Sequence, residues 1–413
     1  MGDRRVVVTG LCAVTPLGVT VGTYWDGLVS ARSGIGTIQR FDASPFTVRI
    51  GGECVDFDPA DFLEHRVAKR LDRFAQFAHV AAKQAYEDSA LEDGKFDPTR
   101  AGVILGTGIG GLTELEEQHK RLLAKGPSRV SAYTIPKLMA NAASGHLSIT
   151  LSFHNVSASV ATACASAGNA MGEAFNVIRR GGADLVMTGG CEAALTPLGL
   201  SAFAAMKRAL STRNDDPTAA SRPFDRDRDG FVLSEGAGVL VFEELEHAKA
   251  RGAPIYGEVI GFGATSDGCD MVQPDPEGTG AARAMAAALA DARLNPDQLE
   301  YINAHGTATP LGDAAETKAV KVVFGPAARK LAISSTKSAI GHLLGASGGV
   351  EAIATLKAME HNTLPPTLNL DHPDPECDLD YVPLTARDAQ VRTTMSNSFG
   401  FGGHNASIIF RKL

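Results

Sequence analysis

The sequence predicts an α/β protein built as two similar halves of βαβαβ type, and three features predict it. Short β-branched apolar runs ending in Gly alternate with Ala-rich stretches along the chain. The apolar runs are continuous rather than alternating, the pattern of strands buried on both faces of a sheet. Four segments of the first half also recur, in the same order, in the second.

In chain order, Arg5–Gly10 (RVVVTG) reads as a strand, and Tyr24–Ala31 and Ala75–Leu91 as helices. Ala101–Gly106 (AGVILG) is a strand and Ile135–Leu151 a helix. Ser157–Ala163 (SASVATA) is a strand running into Cys164, Ala165–Arg180 a helix and Ala183–Gly189 (ADLVMTG) a strand. Asn214–Asp229, rich in Asp, Pro and Arg, is a loop between the halves. The second half continues with a strand over Tyr256–Ala264 and a helix over Gly278–Arg293, closed by Asn295-Pro296. Leu299–Ala304 is a strand, Asp313–Phe324 a helix, Ala332–Ser335 a strand and Ile340–Glu360 a long helix. Arg392–Asn397 and Asn405–Phe410 are strands.

No tight repeat of 20–50 residues is present, but the long-range echo is ordered. VVVTGLCAVT (6–15) parallels VIGFGATSD (259–267), and AGVILGTG (101–108) parallels EYINAHGT (300–307). SVATACASAG (159–168) parallels AISSTKSAIG (332–341), and DLVMTGGCEA (184–193) parallels TTMSNSFGFG (393–402). The competing explanation is chance likeness among strand-to-Gly turns. The echo divides the chain into residues 1–250 and 251–413. Chemistry in parallel sheets lies beyond the carboxyl ends of the strands, which points at Cys164, His305, Thr307, Lys337 and the 399–403 turn.

Composition narrows the function. Hydrophobic types make up 44% of the 413 residues, which excludes disorder as the main state. With 44 Gly, 6% aromatics and one Trp, the interior must be made of small side chains and tight turns. A net charge of −8 argues against general nucleic-acid binding. The six Cys form no Cys-x-x-Cys pair and are too dispersed for a disulfide framework. The N-terminal residues show no signal-peptide h-region and no apolar run reaches 18 residues, so the expectation is a cytoplasmic protein with free thiols and no membrane span.

Thr162–Gly168 (TACASAG) is the sharpest motif. A Cys at a strand-to-helix turn faces the unpaired N–H groups and positive dipole end of the helix, which favour thiolate and make a nucleophile. The alternative is a small buried hydrophobe, the usual state of a free Cys. His305 ends an apolar strand beside the hydroxyls of Thr307 and Thr309. Lys337 and His342 lie five residues apart across a helix start, with Glu351 as a partner for the lysine; a surface Lys and a capping His are the plainer alternative. Ser396–Asn405 (SNSFGFGGHN) is either a turn whose backbone N–H groups approach a ligand or a simple hairpin. Gly106–Gly111 formally matches G-x-G-x-x-G, but no acidic residue follows about 20 residues on, so a nucleotide site is rejected. Basic residues cluster at Arg66, Lys69, Arg70 and Arg73, and again at Lys207, Arg208 and Arg213, as solvated faces or as docking points for an acidic partner.

Together, VVVTGLCAVTPLG, GTGIGGL, TACASAG, ALSTRND, SRPFDRDRDGFVLSEGAG, NAHGTATPLGD, STKSAIGHLLGASG and NSFGFGGHNAS resemble the β-ketoacyl-acyl-carrier-protein synthases over nearly the whole chain. The resemblance implies a thiolase-like fold with a five-layered αβαβα core. It implies decarboxylating condensation of malonyl-acyl-carrier protein with a Cys-bound acyl chain, by the long-chain, type II branch. By this likeness Cys164 accepts the acyl group, His305 and His342 hold the malonyl thioester, and Lys337 with Glu351 orders that pair. The N–H groups of Cys164 and Phe401 form the oxyanion hole, and Phe401 gates the pocket. Ile109, Phe203, Phe399 and Gly400 match the acyl pocket, Thr307 and Thr309 contact pantetheine, and Arg66, Lys69, Arg70 and Arg208 contact the carrier protein. The resemblance also implies a homodimer and no cofactor beyond the 4'-phosphopantetheine that arrives on the carrier.

Two departures stand out. The family usually shows Thr five residues past Asp267, where this chain has Val272. Ala202–Arg208 is one residue longer than usual, which puts the pocket role of Phe203 in question. The chemistry stands without the family: two neutral imidazoles can stabilise an enolate oxygen, and a nearby ammonium disfavours their protonation. The alternatives weighed are a ketosynthase of a polyketide or secondary-lipid pathway, a CoA-dependent thiolase, and an inactive chain-length partner. A thiolase needs a second active-site Cys, and Cys377 lies outside the terminal Gly-rich turn; an inactive partner would lack Cys164.

Overall fold

In the computed structural model, which describes residues 4–92 and 94–413, ten strands form one mixed sheet. The first half contributes β1 (Val6–Val14), α1 (Arg73–Asp88), β2 (Ala101–Gly106), α2 (Leu112–Lys125), α3 (Thr134–Leu138), α4 (Ala142–Leu151), β3 (Ser157–Val160), α5 (Ser166–Arg179), β4 (Leu185–Glu192), α6 (Pro197–Ala205) and β5 (Gly236–Glu244). The second contributes β6 (Gly257–Ser266), α7 (Thr279–Ala292), β7 (Tyr301–Asn303), α8 (Pro310–Phe324), β8 (Ala332–Ser334), α9 (Lys337–Ile340), α10 (Ser347–His361), β9 (Thr393–Gly400) and β10 (His404–Arg411).

The strand order is β8-β7-β9-β10-β6-β1-β5-β4-β2-β3. Divided between β6 and β1, it is one five-stranded pattern written twice. β1, β5, β4, β2 and β3 correspond to β6, β10, β9, β7 and β8. In both halves the pairs β2·β3 and β2·β4, or β7·β8 and β7·β9, are parallel, and the remaining pairs are antiparallel. The halves join where Val6–Val8 run antiparallel to Gly257–Val259. All four echoed segments fall on corresponding strands.

The layers follow from the burial pattern. α1 covers one face of β1, β5 and β4, and α4 covers β2, while α7 covers β6 and β10 with α8 packed beside it. α5 and α10 lie between the half-sheets, and both touch strands of both. The result is the five-layered thiolase-like arrangement. A helix buried on all sides needs small residues where it presses on a strand. A Cβ on Gly238 of β5 would lie 2.3 Å from the Val350 nitrogen of α10, and one on Gly172 of α5 would lie 2.2 Å from the Phe262 ring. At these two positions Gly is a packing requirement of the middle layer. Gly238→Ala should lower stability by about 1–3 kcal/mol through overpacking, read as a lower midpoint in urea. Gly22→Ala, at an exposed position in the helix Val21–Val29 whose Cβ would meet nothing nearer than 3.9 Å, should not lower the midpoint.

The structure corrects the sequence-based elements in four ways. β5 was read as part of a motif rather than as a strand, because it opens on Gly-Ala-Gly. The helices α2 and α6 and the short helices His65–Ala68 and Leu245–Arg251 are not among the expected elements, whereas the helix expected over Tyr24–Ala31 is found at Val21–Val29. The helix expected over Ile135–Leu151 is two, α3 and α4, because Met139 turns to an extended ψ of 140°. The long helix expected over Ile340–Glu360 starts only at Ser347: Gly341, at φ +72°, ends α9, and a 3-10 turn over Leu344–Ala346 leads into α10. The equivalent of the Cys164 turn (Ala163 at φ +50°) is thus the turn at Leu344 (φ +48°), so Cys164 corresponds to Gly345 rather than to Lys337. Residues 335–343 are an insertion peculiar to the second half, and they carry Lys337 and His342. Among the described residues, no helix is long and apolar enough to cross a membrane.

Candidate active site

Cys164 sits in the 3-10 turn Ala163–Ala165 that joins β3 to α5. A non-Gly residue at φ +50°, such as Ala163, is strained by about 1–2 kcal/mol. The turn is held by Ser166, whose hydroxyl accepts from the Thr162 N–H at 2.9 Å and donates to the Ala163 carbonyl at 2.6 Å. The end of β9 presses directly on it, since a Cβ on Gly400 would lie 2.9 Å from the Cys164 nitrogen. This contact brings the Phe401 N–H, together with that of Cys164 itself, into hydrogen-bonding reach of the sulfur.

Two imidazoles complete the centre. His342 Nε2 lies 3.0 Å from Cys164 Sγ, and its Nδ1 lies 2.9 Å from the Ser347 hydroxyl at the start of α10. If Ser347 donates to Nδ1, the proton sits on Nε2, facing the sulfur. The ring of His305 is 5.4 Å from that of His342, edge to face. Burial drives both well below the usual histidine range, and the Lys337 charge adds to it, so both are neutral. Lys337 itself is fully buried and ion-paired with Glu351 of α10.

The resting state of the sulfur differs from the sequence expectation. Burial pushes the Cys164 thiol up to about 12, over the opposing pull of Lys337 and the two backbone N–H groups. The helix end therefore does not give a resting thiolate. The thiol rests protonated beside an imidazole, because the cavity excludes the water that would solvate the charge.

A cavity of about 440 Å³ opens onto the centre. Cys164, His305, His342, Ile109, Phe203, Thr307, Thr309, Phe399, Gly400, Phe401 and Arg208 all line it. The Thr307 and Thr309 hydroxyls are 3.1 Å apart. Val272, which the resemblance marks as a departure, lines the same cavity. Lys207 and Arg208 are both at positive φ (37° and 67°), and Phe203 packs between Phe231 and Phe401. Lys337 and Glu351 stand behind the cavity wall. Arg66, Lys69 and Arg70 are exposed and do not line the cavity; Arg70 lies 5.6 Å over the Tyr133 ring. Arg73, grouped with them by sequence, is an internal residue paired with buried Glu235 at 2.6 Å.

Sequence reasoning missed the buried carboxylates around the centre. Glu316 of α8 accepts the N–H groups of His305 at 2.9 Å and Gly306 at 2.8 Å, and so fixes the His305 turn. Asp313, one turn earlier, accepts from the Phe224 N–H at 2.8 Å. Glu192 accepts from the Gly-rich turn at Gly108 and Ile109, which explains why that turn is no nucleotide site: its donors already hold an internal anion. Acids at helical spacing facing an apolar layer (Asp313, Glu316), or ending an apolar strand (Glu192), were the available signal. Among the described residues, Asp225, Asp227 and His372 bring three potential metal-binding atoms together. Asp225 is already committed to Arg222 and to the N–H groups of Asp227 and His372.

Comparison with known proteins agrees with this geometry. The family model described as Beta-ketoacyl synthase, N-terminal domain, matches residues 3–248, and Beta-ketoacyl synthase, C-terminal domain, matches 256–371. A 3-oxoacyl-[acyl-carrier-protein] synthase 2 from Synechocystis sp. is 53% identical over 99% of this chain and 98% of its own. The protein of the same name from Coxiella burnetii is 48% identical over the full length of both. Among solved structures, a beta-ketoacyl synthase from Burkholderia phymatum superimposes with a TM-score of 0.92 at 37% identity, covering 99% of this chain and 100% of that one. A ketosynthase bound to its type II polyketide acyl-carrier protein gives 0.92 at 33% identity over the full length of both.

Proposed function

Because the chain belongs to the β-ketoacyl synthase family, we propose that it elongates fatty acids by two carbons through decarboxylating Claisen condensation on acyl-carrier protein. The observation that carries this reading is the Cys164 thiol 3.0 Å from His342 Nε2, with a second neutral imidazole beside it, at the base of a cavity. In the first step the sulfur attacks the acyl thioester carbonyl. The bond to the pantetheine sulfur breaks, and the departing carrier thiolate takes up the Cys164 thiol proton. The two backbone N–H groups at the sulfur are positioned for the tetrahedral oxyanion. In the second step the malonyl carboxylate leaves as CO₂, and its bonding electrons form an enolate whose oxygen accepts hydrogen bonds from His305 and His342. The enolate carbon then attacks the Cys-bound carbonyl. A C–C bond forms, the C–S bond breaks, and the thiolate released takes a proton to regenerate Cys164. Lys337, held by Glu351, adds its charge to the burial that keeps the imidazoles neutral.

Thr307 and Thr309 would contact the pantetheine arm, and the exposed cations Arg66, Lys69, Arg70 and Arg208 the acidic carrier. No resident cofactor is needed. The free thiols favour a reducing cytoplasm. A homodimer is supported by the open edge of β3 and by the exposed apolar side chains Ile135, Met139 and Ile149 around it. A polyketide or secondary-lipid role is the second reading, favoured by Val272 in the cavity and by the type II polyketide ketosynthase neighbour. Identity of 53% to a relative named for 3-oxoacyl synthesis, against 33% to that neighbour, favours the first.

The test is condensation with acyl- and malonyl-loaded carrier protein. One CO₂ should appear per 3-oxoacyl product two carbons longer. Condensation of acetyl-CoA without CO₂ release would instead make the protein a thiolase. Arg66→Glu with Arg70→Glu should raise KM for the carrier about tenfold at low salt with kcat unchanged; an unchanged KM would remove this face as the docking site.

A further inference from the structure

Four hydrogen bonds converge on one buried carboxylate at the seam between the halves. Glu192 ends β4 and is fully buried. Its Oε2 accepts from the Gly108 N–H at 2.6 Å and the Gly345 N–H at 3.1 Å. Its Oε1 accepts from the Ile109 N–H at 3.3 Å and the Thr107 hydroxyl at 3.2 Å. The two turns it bridges come from opposite halves and nearly touch: a Cβ on Gly345 would lie 2.2 Å from the Gly108 nitrogen. Three N–H groups aimed at one point form an anion nest, filled here by the chain's own carboxylate.

Each turn leads to a different part of the reaction. Ile109 walls the acyl cavity. Gly345 follows His342 by three residues and occupies, in the second half, the position that Cys164 occupies in the first. The N–H at that position serves the sulfur in one half and Glu192 in the other. We propose that Glu192 is a positioning residue for the condensation, which ties the Ile109 wall of the acyl cavity to the His342 segment and thereby sets the longest acyl chain that reaches Cys164 productively. The inference rests on the reading given under Proposed function. Glutamine at this position would keep the volume but offer one acceptor oxygen instead of two, and its NH₂ would face an N–H. One turn must then be released. The turn at Gly345 is clamped by the buried start of α10, so the Ile109 turn is the one that moves.

The test measures acyl transfer to Cys164 by intact mass over carriers of increasing chain length, in wild type and Glu192→Gln. The ratio of long- to short-chain kcat/KM should fall at least about tenfold, since a displaced wall penalises only substrates that reach it. A uniform fall at all lengths, or an unchanged ratio, would overturn the proposal. If Glu192→Gln does not fold, Thr107→Val decides. It removes one bond to Oε1 and should move the ratio the same way by a smaller factor; an unchanged ratio there overturns the proposal as well. Wild-type protein that takes up no acyl group at any length would defeat the functional reading itself, a result distinct from either.

Discussion

Replacing Cys164 with alanine should abolish condensation and leave malonyl decarboxylation running. The alanine variant has no atom that can carry the acyl group, so the first step has no acceptor. Enolate formation depends on His305 and His342, whose rings and partners stay in place. Loss of a nucleophile that no neighbour replaces costs at least about a thousandfold in kcat. The other thiols cannot substitute: Cys12, Cys54, Cys191 and Cys377 are buried in the structure, exposed Cys269 does not line the cavity, and no other Cys does. Product formation and CO₂ release, followed together, separate the two steps. Elongation near the wild-type rate in Cys164→Ala would contradict the assignment.

Replacing Glu351 with glutamine has the largest expected effect on folding. Glu351 and Lys337 are both fully buried and pair with each other. Burial pushes the Glu351 carboxyl up and Lys337 pulls it back. Removing one charge leaves the other unpaired in the interior, at a cost of about 3–5 kcal/mol. Urea unfolding should show that loss. A Lys337→Met, Glu351→Leu double variant should regain most of the stability, because an apolar pair of similar volume needs no desolvation. It should regain less activity than stability, because the Lys337 charge that adds to burial in holding His305 and His342 neutral is gone. Recovery of both would make the pair purely structural.

The strands with continuous apolar runs, and the twofold order of the fold, were legible in the sequence because a sheet buried on both faces demands such runs. The exception is instructive. β5 is as apolar as its neighbours but opens on Gly236 and Gly238, and the missing side chain of Gly238 admits α10; local propensity gives no credit for a contact with a helix more than 100 residues away. The site was legible where function needs an unusual residue at a strand end, as with Cys164 and His305. It was not legible where function needs an ordinary residue at an unusual depth. Glu192 and Glu316 look like common acids until burial shows each holding the backbone of a turn. The thiol's protonation state was also out of reach, because helix position and burial oppose each other at Cys164, and only the packed cavity decides which is larger.

The central claim is that one thiol, Cys164, receives the acyl chain before carbon–carbon bond formation. It is tested most directly by intact-mass measurement of the protein after exposure to acyl-carrier protein without malonyl substrate. The account predicts a single acyl mass increment on wild type that maps to Cys164, is absent from Cys164→Ala and disappears when malonyl-carrier protein is added. An increment on another residue, or full condensation with no increment at any time, would contradict it.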